Sequence, residues 1–536
     1  MQNFKEKVCP HWVVSVCLFG LLFSSTSGYA QETDVTQTQN PENAGIKKSL
    51  EQQIGEERGD IDTPDSSLYI INRDPFRSIR RGRNIFQRKF TVAQGFGPRT
   101  GDGVGDIVAS ESIGAGLVDS CAGCHGRPRG AAGFGGDVFT RPDSRDAPHL
   151  FGLGIIEMLA DEITQDLRKI RDDAIAQASN KDVVVSLKSK GISYGQITVN
   201  SDGSVDTSDV EGVDGDLRVR PFFHNGETIS IREFVVGALN AEMGLEAFDP
   251  DLDEAKNGGP DGKGTEVVTP AGMVLNGKID TIEAPPAASE SDDPDGDGKV
   301  NEIPVSLVDH LEFYLLNYFK PATYQNTNRV KRGRKEFEKI QCVTCHIPDL
   351  TIERDRRVAD VETTYDPKQG VFNQLFAVAT PLFQEESDGT DNPTLKKPIQ
   401  ERFVVKNIFA DFKRHDLGSN FWERNFDKTL TKKFMTEPLW GVGTTAPYGH
   451  DGRSINLRSV IMRHGGEAQA SRDRFARLPD EQQSVVIEFL QSLVLFPPDD
   501  TASNLNPGDP TAQNFPQYGH GNIALPALFN DPSDLE

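Results

Sequence analysis

The chain contains the segments Cys121-Ala-Gly-Cys124-His125 and Cys342-Val-Thr-Cys345-His346, which repeat the pattern C-x-x-C-H in its two halves. This spacing places two thiols one helical turn apart, so both can bond to the vinyl groups of one porphyrin. The histidine that follows can then bind the iron. A zinc site or a thioredoxin-like pair would not need a histidine directly after each cysteine pair. The pattern therefore predicts two covalently attached haems c, with His125 and His346 as iron ligands.

The six cysteines of the chain divide between these motifs and the N-terminus. Cys9 and Cys17 lie in a segment that begins with lysines, continues through an apolar run over 12–23 and ends in small residues before Gln31. This order is typical of a secretory signal peptide, so we predict that residues 1–30 are cleaved off and that the protein is periplasmic. A membrane anchor is the alternative, but the apolar run is short for a bilayer span. We expect no membrane span in the mature chain and no cysteine left for a disulfide.

The composition sets limits on size and partners. The formal net charge is −24 at pH 7, and hydrophobic residues make up 36% of 536 residues. Nucleic acid is excluded as a partner because its phosphates would be repelled. The apolar content is sufficient for packed cores, and the length predicts two or more domains. A basic redox partner is compatible with the charge, as is simple solubility.

The two halves share landmarks in the same order around the C-x-x-C-H motifs. An Arg-Gly-Arg segment precedes each motif. Three further segments follow each motif: Leu-aromatic-Gly-x-Gly, Pro-aromatic-x-His-x-Gly, and an apolar run that starts with Glu-Phe. The corresponding pairs are 81–86 and 332–337, 150–154 and 439–443, 221–226 and 447–452, and 312–321 and 488–497. Such repetition indicates duplication of one haem domain. The predicted fold is mainly α, with two cytochrome c-like helical haem domains in tandem and long loop insertions.

Domain boundaries follow from these landmarks. We predict a flexible N-terminal segment over 31–66, an N-terminal haem domain over 67–325, a C-terminal haem domain over 326–500 and a tail over 501–536. Apolar spacing predicts helices over 305–319, 330–345 and 480–496. The Gly-, Asp- and Pro-containing stretches near 90–118, 155–217, 247–300 and 350–430 are expected to form loops or small added elements.

The distal side of each haem decides its role. An iron with two protein ligands transfers electrons, whereas an iron with an open face can bind an oxidant. In the second half His464 follows a helical stretch and precedes a Gly-Gly pair. We predict that it is the distal ligand of the His346 iron, with an ordinary surface histidine as the alternative. His450 is the second choice, because it repeats as His224 and a repeated residue fits a structural role better.

The first half has no such histidine, because Ala238 stands at the position that matches His464. Glu242 lies nearby and is the candidate acid that transfers a proton at an open iron face. The alternative is an exposed helix carboxylate without a role. Met243 could instead close the site as a thioether ligand, and His149 is a further candidate for the distal side.

An acidic loop contains Asp293, Asp295 and Asp297 in the spacing D-x-D-x-D-G. Carboxylates around a tight glycine turn suit a hard cation, so the loop is a candidate calcium site. Position twelve of the loop is Pro304 and not the glutamate of an EF-hand. A solvated acidic turn is the alternative.

At these residues the chain resembles the bacterial di-haem cytochrome c peroxidase superfamily, and more closely its branch of di-haem (thiol) oxidoreductases. The resemblance covers most of residues 70–497. It is carried by both C-x-x-C-H segments, Leu439-Trp-Gly-Val-Gly443, Ala446-Pro-Tyr-Gly-His450-Asp-Gly-Arg453 and His464-Gly-Gly-Glu-Ala468. It implies that the N-terminal haem is the peroxidatic one, with an acid of an Asn-Pro-x-Glu-Met-like segment above it, and Glu242 matches that acid. It also implies that electrons enter at the C-terminal haem, whose distal Met or Tyr position aligns with His464.

The chain departs from the family pattern between the haems. In relatives a Phe-Trp-Asp-Gly segment places its Trp there, whereas His224 stands at that position here. Phe234 replaces the usual neighbouring Gln, and Trp440 is a weak substitute for the missing indole. Relatives also bind calcium between their domains, which favours calcium binding by the Asp293 loop.

Together these features predict a peroxidase-like di-haem oxidoreductase. Electrons from a small cytochrome- or cupredoxin-type donor would enter at the His346 haem and reduce hydrogen peroxide or a related oxidant at the His125 haem, with Glu242 as acid and base. Arg218 and Arg220 could place positive charge near a haem propionate, with solvated arginines as the alternative. Two other functions stay open: a non-enzymatic electron carrier, and oxidative modification of a protein or organic substrate.

Overall fold

A computed structural model describes residues 50–88, 90, 120–126, 145–243, 245–256, 264–282, 289, 291, 300–317, 327–365, 375–386, 395–398, 402–425 and 427–493. The predicted signal peptide, the C-terminal tail and the Asp293 loop lie outside these residues. In the part of the chain that is described, no helix combines the length and the apolar character needed to cross a lipid bilayer.

The described part is mainly helical, as predicted. The helices of the first half are α1 (Leu50–Ile54), α2 (Ser67–Arg73), α3 (Pro75–Gln87), α4 (Cys121–His125), α5 (Leu153–Gln177), α6 (Ile231–Ala241), α7 (Pro250–Lys256) and α8 (Val305–Asn317). Those of the second half are α9 (Asn328–Lys339), α10 (Leu457–Arg463), α11 (Gln469–Ala476) and α12 (Asp480–Gln491), with 3₁₀ turns at Cys342–Thr344 and Gly466–Ala468. The three helices predicted from apolar spacing are therefore present as α8, α9 and α12.

Short antiparallel strands fill the connections between the helices. They are β1 (Val183–Ser189), β2 (Ile192–Val199), β3 (Val205–Asp206), β4 (Glu266–Val268), β5 (Val274–Asn276), β6 (Asp349–Ile352), β7 (Ala359–Tyr365), β8 (Leu375–Pro381), β9 (Phe383–Glu386), β10 (Leu395–Pro398), β11 (Phe403–Lys406), β12 (Arg414–Asp416), β13 (Glu423–Arg424), β14 (Leu430–Thr431) and β15 (Lys433–Met435). The first three form one sheet in the order β1-β2-β3, and the others pair two by two.

The expectation of loops or small elements over 155–217 is wrong for its first part, because α5 is 25 residues long. Its apolar residues recur at helical spacing, and Ile155, Leu159, Ile163 and Leu167 are all buried. This stripe packs into the core of the first half, which also contains Ile197 from β2. The insertion is thus part of the core, and its helical period is visible in the sequence.

The segment over 50–66, predicted to be flexible, packs on the first half. Leu50 and Ile54 of α1 are buried. The guanidinium of Arg58 donates to Asp251 on α7 at 2.8 Å and to Asp309 on α8 at 2.7 Å. These contacts fix the described part of this segment against two helices that follow it by about two hundred residues in the chain.

The two halves repeat one close helix crossing. In the first half α3 packs against α8, and a Cβ on Gly82 would collide with the carbonyl oxygen of His310. In the second half α9 packs against α12, and a Cβ on Gly333 would collide with the carbonyl oxygen of Val485. Both glycines belong to the Arg-Gly-Arg landmark. The landmark therefore recurs because each crossing needs a residue without a side chain.

Aromatic pairs recur beside these crossings. Phe86 and Tyr314 meet edge to face with ring centroids 6.0 Å apart. Phe337 and Phe489 occupy the equivalent places, with centroids 5.5 Å apart. The buried apolar residues form two separate clusters, one mainly from the first half and one from the second. The packing thus repeats together with the sequence.

We expect Gly333→Ala to lower the free energy of unfolding by about 1–3 kcal/mol, because the added methyl group overpacks the crossing of α9 and α12. The matched control is Gly237→Ala, in the interior of α6, where a Cβ would meet nothing within 4 Å. This control should be neutral or slightly stabilising, since alanine loses less entropy on folding. Denaturant unfolding of both variants measures the difference. Equal effects of the two substitutions would contradict the close crossing.

Candidate cofactor site

Both C-x-x-C-H motifs line one cavity between the two halves. Its volume is about 490 Å³, within the range of small-molecule and cofactor sites. The lining includes the cysteines and histidines of both motifs, and most of the rest is apolar or aromatic, such as Phe86 and Phe337. The fold therefore brings the two motifs, more than two hundred residues apart in the chain, to one site.

The motif histidines are held in the orientation that an iron ligand needs. The Nδ1 of His125, at the end of α4, lies 2.7 Å from the carbonyl oxygen of Pro148. The Nδ1 of His346 lies 2.9 Å from the carbonyl oxygen of Phe409. Because a carbonyl oxygen can only accept, Nδ1 is the protonated nitrogen in each ring. The lone pair of Nε2 is then available to a metal.

The protonation states of the motif residues also suit this role. Burial lowers the pKa of His125 to about 4 and lowers that of His346 as well, so both rings are neutral at pH 7. Burial raises the pKa of the Cys121 and Cys342 thiols to about 12. All four motif cysteines are free of disulfide bonds. Two sets of two thiols and one neutral imidazole in an apolar cavity fit two haems c.

His464 lies in the same cavity, at the C-cap of α10. Its Nδ1 donates to the carbonyl oxygen of Val460 at 2.7 Å, which again leaves Nε2 as the free nitrogen. Burial, assisted by the proximity of His346, lowers the pKa of His464 to about 4. Phe421 packs against its ring edge to face at 5.3 Å. The predicted distal ligand is thus neutral, oriented and placed beside the second motif.

The equivalent helix of the first half begins in the same way and ends differently. The side chains of Ser230 and Asn456 both cap their helices, so α6 and α10 start in the same register. In this register Ala238 corresponds to His464, as the sequence alignment predicts. The α6 helix continues to Ala241, and Glu242 is its C-cap.

The end of α6 lines the cavity. Ala238, Glu242 and Met243 all line the cavity together with His125. Glu242 is half-buried, whereas Met243 is buried. The structure therefore brings the predicted acid and the competing thioether into the lining of the cavity that contains the motifs.

The repeated landmark histidines meet where the halves join. The rings of His224 and His450 have centroids 5.9 Å apart, and the His450 ring stacks on Phe434 at 3.9 Å. The Nδ1 of His224 donates to Glu437 at 2.7 Å and its Nε2 donates to the carbonyl oxygen of Asp146 at 3.0 Å. Burial alone would lower the pKa of His224, but Glu437 outweighs it, and the pKa is raised.

His149 and Trp440 also link the halves inside the cavity. The Nε2 of His149 donates to the backbone carbonyl oxygen of Trp440 at 3.1 Å. The indole Nε1 of Trp440 is buried and has no hydrogen-bond partner among the described residues. Both residues line the cavity, and Trp440 packs into the core of the first half.

Two candidate arginines are engaged elsewhere. Arg218 donates to Asp161 at 2.9 Å, and Arg220 donates to Asp214 at 2.9 Å and to Asp216 at 2.8 Å. Neither arginine is among the residues that line the cavity. Their role in the described part of the chain is to pair with carboxylates of the first half.

Sequence reasoning missed a charged cluster beside the second motif. The ring of His415 lies between Asp411 at 2.8 Å and Glu467 at 2.7 Å, and it lines the cavity near Cys345. Burial opposes its charge, but the hydrogen bond from His415 to Asp411 leads the interactions that raise its pKa to about 11. Asp411 and Glu467 are 56 residues apart, so no local spacing shows the cluster. The one available signal was Glu467 in the His464-Gly-Gly-Glu segment.

Comparison with known proteins agrees with this site. Residues 356–493 match the model of the family described as "Di-haem oxidoreductase, putative peroxidase". This match confirms the resemblance for that part of the chain, which is thus related to di-haem redox enzymes. No curated protein matches the chain.

Two solved structures are distantly similar. One is the hydrazine synthase of Kuenenia stuttgartiensis, at 14% identity and a TM-score of 0.31, over 82% of this chain and 94% of that chain. The other is a MauG-like protein associated with microbial copper homeostasis, at 13% identity and a TM-score of 0.31, over 82% of this chain and 91% of that chain.

We expect Glu437→Gln to destabilise the protein in a pH-dependent way, because it removes the partner that keeps His224 charged. Burial raises the pKa of Glu437, but the hydrogen bond and charge of His224 outweigh it, and its pKa is lowered. The pair contributes fully above the ordinary pKa of glutamate, about 4.3, and below the ordinary pKa of histidine, about 6.5. Its contribution is lost as the pH rises through the raised pKa of His224.

Thermal unfolding midpoints of the wild type and the variant over this pH range measure the effect. The exposed Glu254 on α7 supplies the control Glu254→Gln, which should show no such dependence. A Glu437→Gln effect that is the same in slightly acidic and in strongly alkaline buffer would refute the charged pair.

Proposed function

We propose that this chain is a periplasmic di-haem c-type oxidoreductase that reduces peroxide or a related oxidant. Each C-x-x-C-H motif would hold one haem through two thioether bonds and one histidine. The proposal also takes the two halves as tandem cytochrome c-like domains. The repeated helix crossings and the family match of residues 356–493 support it.

One observation carries the proposal: the two sides of the cavity are chemically inequivalent. Beside the second motif, His346 and His464 both have Nδ1 bonded to a carbonyl oxygen and Nε2 free for a metal. Beside the first motif, His125 is prepared in the same way, but Ala238 stands in place of the second imidazole. We infer a six-coordinate C-terminal haem that transfers electrons and an N-terminal haem with an open face.

A haem with an open coordination position supplies binding of the oxidant and delivery of two electrons to it. The balanced reaction is H₂O₂ + 2 e⁻ + 2 H⁺ → 2 H₂O, in which the O–O bond breaks and both oxygens are reduced. A small cytochrome- or cupredoxin-type protein would donate the electrons one at a time at the C-terminal haem.

Glu242 would move the proton that bond cleavage requires. Its carboxylate can take a proton from one peroxide oxygen and return it to the other, which then leaves as water. The position of Glu242 at the end of α6, in the lining that contains His125, supports this role. The apolar residues Phe234 and Leu239 of the same helix also line the cavity, and they would limit access of bulk water to it.

Spectra of the purified protein test the inequivalence. We expect two attached haems, one low-spin from His346 and His464 and one high-spin from His125 alone, in the oxidised or the half-reduced form. Electron paramagnetic resonance and optical absorption in each redox state measure this. Two low-spin haems in every redox state would reject the enzyme and favour a carrier.

Glu242→Gln should reduce peroxide turnover by at least a hundredfold, since general acid–base groups contribute about 10²–10⁴-fold. Both haems should stay attached with unchanged spectra. The control Glu227→Gln changes an exposed carboxylate outside the cavity lining and should keep full activity. Full turnover by Glu242→Gln would remove Glu242 from the mechanism.

A non-enzymatic electron carrier is the second candidate function. The specific observation in its favour is Met243, which is buried, follows Glu242 and lines the cavity. Its thioether sulfur could complete the coordination of the N-terminal iron. Met243→Leu would then convert that haem from low-spin to high-spin, whereas the peroxidase proposal expects no change.

A further inference from the structure

One short segment, over 409–416, contacts both His346 and the loop that carries His464. The carbonyl oxygen of Phe409 accepts the hydrogen bond from the Nδ1 of His346 at 2.9 Å. Asp411 and His415 follow within the next six residues. His415 contacts both Asp411 and Glu467, and Glu467 lies three residues after His464. The segment over 409–416 is thus attached to the proximal histidine at one end and to the distal loop at the other.

The attachment to the distal loop is a carboxylate–imidazole–carboxylate bridge. The Nε2 of His415 donates to Asp411 at 2.8 Å, and its Nδ1 donates to Glu467 at 2.7 Å. Because two ionised carboxylates can only accept, both ring nitrogens carry protons and the ring is an imidazolium. Hydrogen bonds between such charged groups are about twice as strong as neutral ones, and the bond to the buried Asp411 is better shielded from solvent than the bond to the half-exposed Glu467.

Backbone contacts continue this connection to His464. The second carboxylate oxygen of Glu467 accepts from the backbone N–H of Asp416 at 2.9 Å. The N–H of Gly465, directly after His464, donates to the carbonyl oxygen of Leu417 at 2.9 Å. Gly466 has a φ of +48°, and a Cβ there would collide with the carbonyl oxygen of Asp416. The turn after His464 therefore lies directly against the end of β12.

The other end of the bridge is anchored in the protein interior. Asp411 is buried, and its second oxygen accepts from the backbone N–H of Lys413 at 3.0 Å. The phenol of Tyr194, on β2 of the first half, donates to the carbonyl oxygen of Asp411 at 2.8 Å. The distal loop is thus connected through His415 to a fixed point in the core.

We propose that the bridge of Asp411, His415 and Glu467 is a positioning unit that holds His464 opposite His346. In this way it would keep the C-terminal haem six-coordinate. The inference rests on the proposed function, since it requires a haem at the second motif. None of the three residues binds the iron; they act through the loop that carries His464.

A competing interpretation is a metal ion at the same place. A ligand atom of each of Cys345, Asp411 and His415 lies within 4.8 Å of those of the other two, which is close enough for a shared ion. A thioether bond between Cys345 and a haem would use up the sulfur that such an ion needs. Metal analysis of the purified protein separates the two possibilities: haem iron alone supports the bridge, and one equivalent of another metal overturns it.

The decisive variant is Glu467→Ala, which removes the loop side of the bridge. Both His346 and His464 are still present in this variant. We expect loss of the low-spin signal of the C-terminal haem and appearance of a second high-spin signal. The N-terminal haem should keep its spectrum and serves as an internal reference. Electron paramagnetic resonance of the full-length holoprotein measures both haems at once.

Glu481→Ala is the matched control. Glu481 accepts from the side chains of Arg329 and Arg332, and among the described residues no hydrogen bond or ion pair joins it to the loop that carries His464. Its removal costs two ion pairs, whereas removal of Glu467 costs one, so a general loss of stability would appear in the control as well. Only Glu467→Ala should change the spin state, with the same number of attached haems in both proteins.

A second variant covers the case in which Glu467→Ala does not fold. Glu467→Gln keeps an oxygen for the N–H of Asp416 but removes the charge that pairs with His415, and we expect a larger high-spin fraction than in the wild type. A low-spin C-terminal haem in the variants, identical to that of the wild type in every redox state, overturns the positioning role. A wild type without a low-spin C-terminal haem overturns the proposed function instead, so the two failures are distinguishable.

Discussion

The arrangement of this protein depends on one steric constraint, the close crossing of two helices at a glycine in each half. At Gly82 and at Gly333 the backbone of the partner helix occupies the space that a side chain would take. The crossing brings a helix that precedes a C-x-x-C-H motif against a helix from the end of the same half. It also sets Phe86 and Phe337 in the wall of the central cavity. The apolar character of the site is therefore a consequence of helix packing.

The chemical difference between the two sides arises from one residue position and from the length of the helix that carries it. The α6 and α10 helices have equivalent caps at their N-termini, but α10 ends at Arg463 whereas α6 continues to Ala241. His464 is the C-cap of α10, and two glycines follow it in the turn that leads away from the helix. An imidazole therefore faces the cavity at the end of α10, while an alanine occupies the equivalent place and an acid follows at the end of α6. The two halves thus present different side chains to the cavity because of a local difference.

Some histidines of the cavity are neutral and others are charged, and the neighbours of each ring determine its protonation state. His125, His346 and His464 each donate to one backbone carbonyl oxygen, and burial keeps their rings neutral. His415 lies between two carboxylates and His224 beside one, so their charged forms are favoured. Neutral rings suit metal binding, whereas charged rings connect segments of the chain. Histidine thus serves in this cavity both as a candidate metal ligand and as a structural connection.

The amino-acid sequence by itself determined the two motifs, the repeat and the helices α8, α9 and α12, because these features depend on local spacing. It also aligned Ala238 with His464, and the equivalent helix caps support that register. The helical period of α5 is also visible in the sequence, but only the tertiary structure decided that His415 bridges Asp411 and Glu467. Such contacts join residues far apart in the chain, and burial changes both their charges and their partners. A local sequence pattern does not show these charges or these partners.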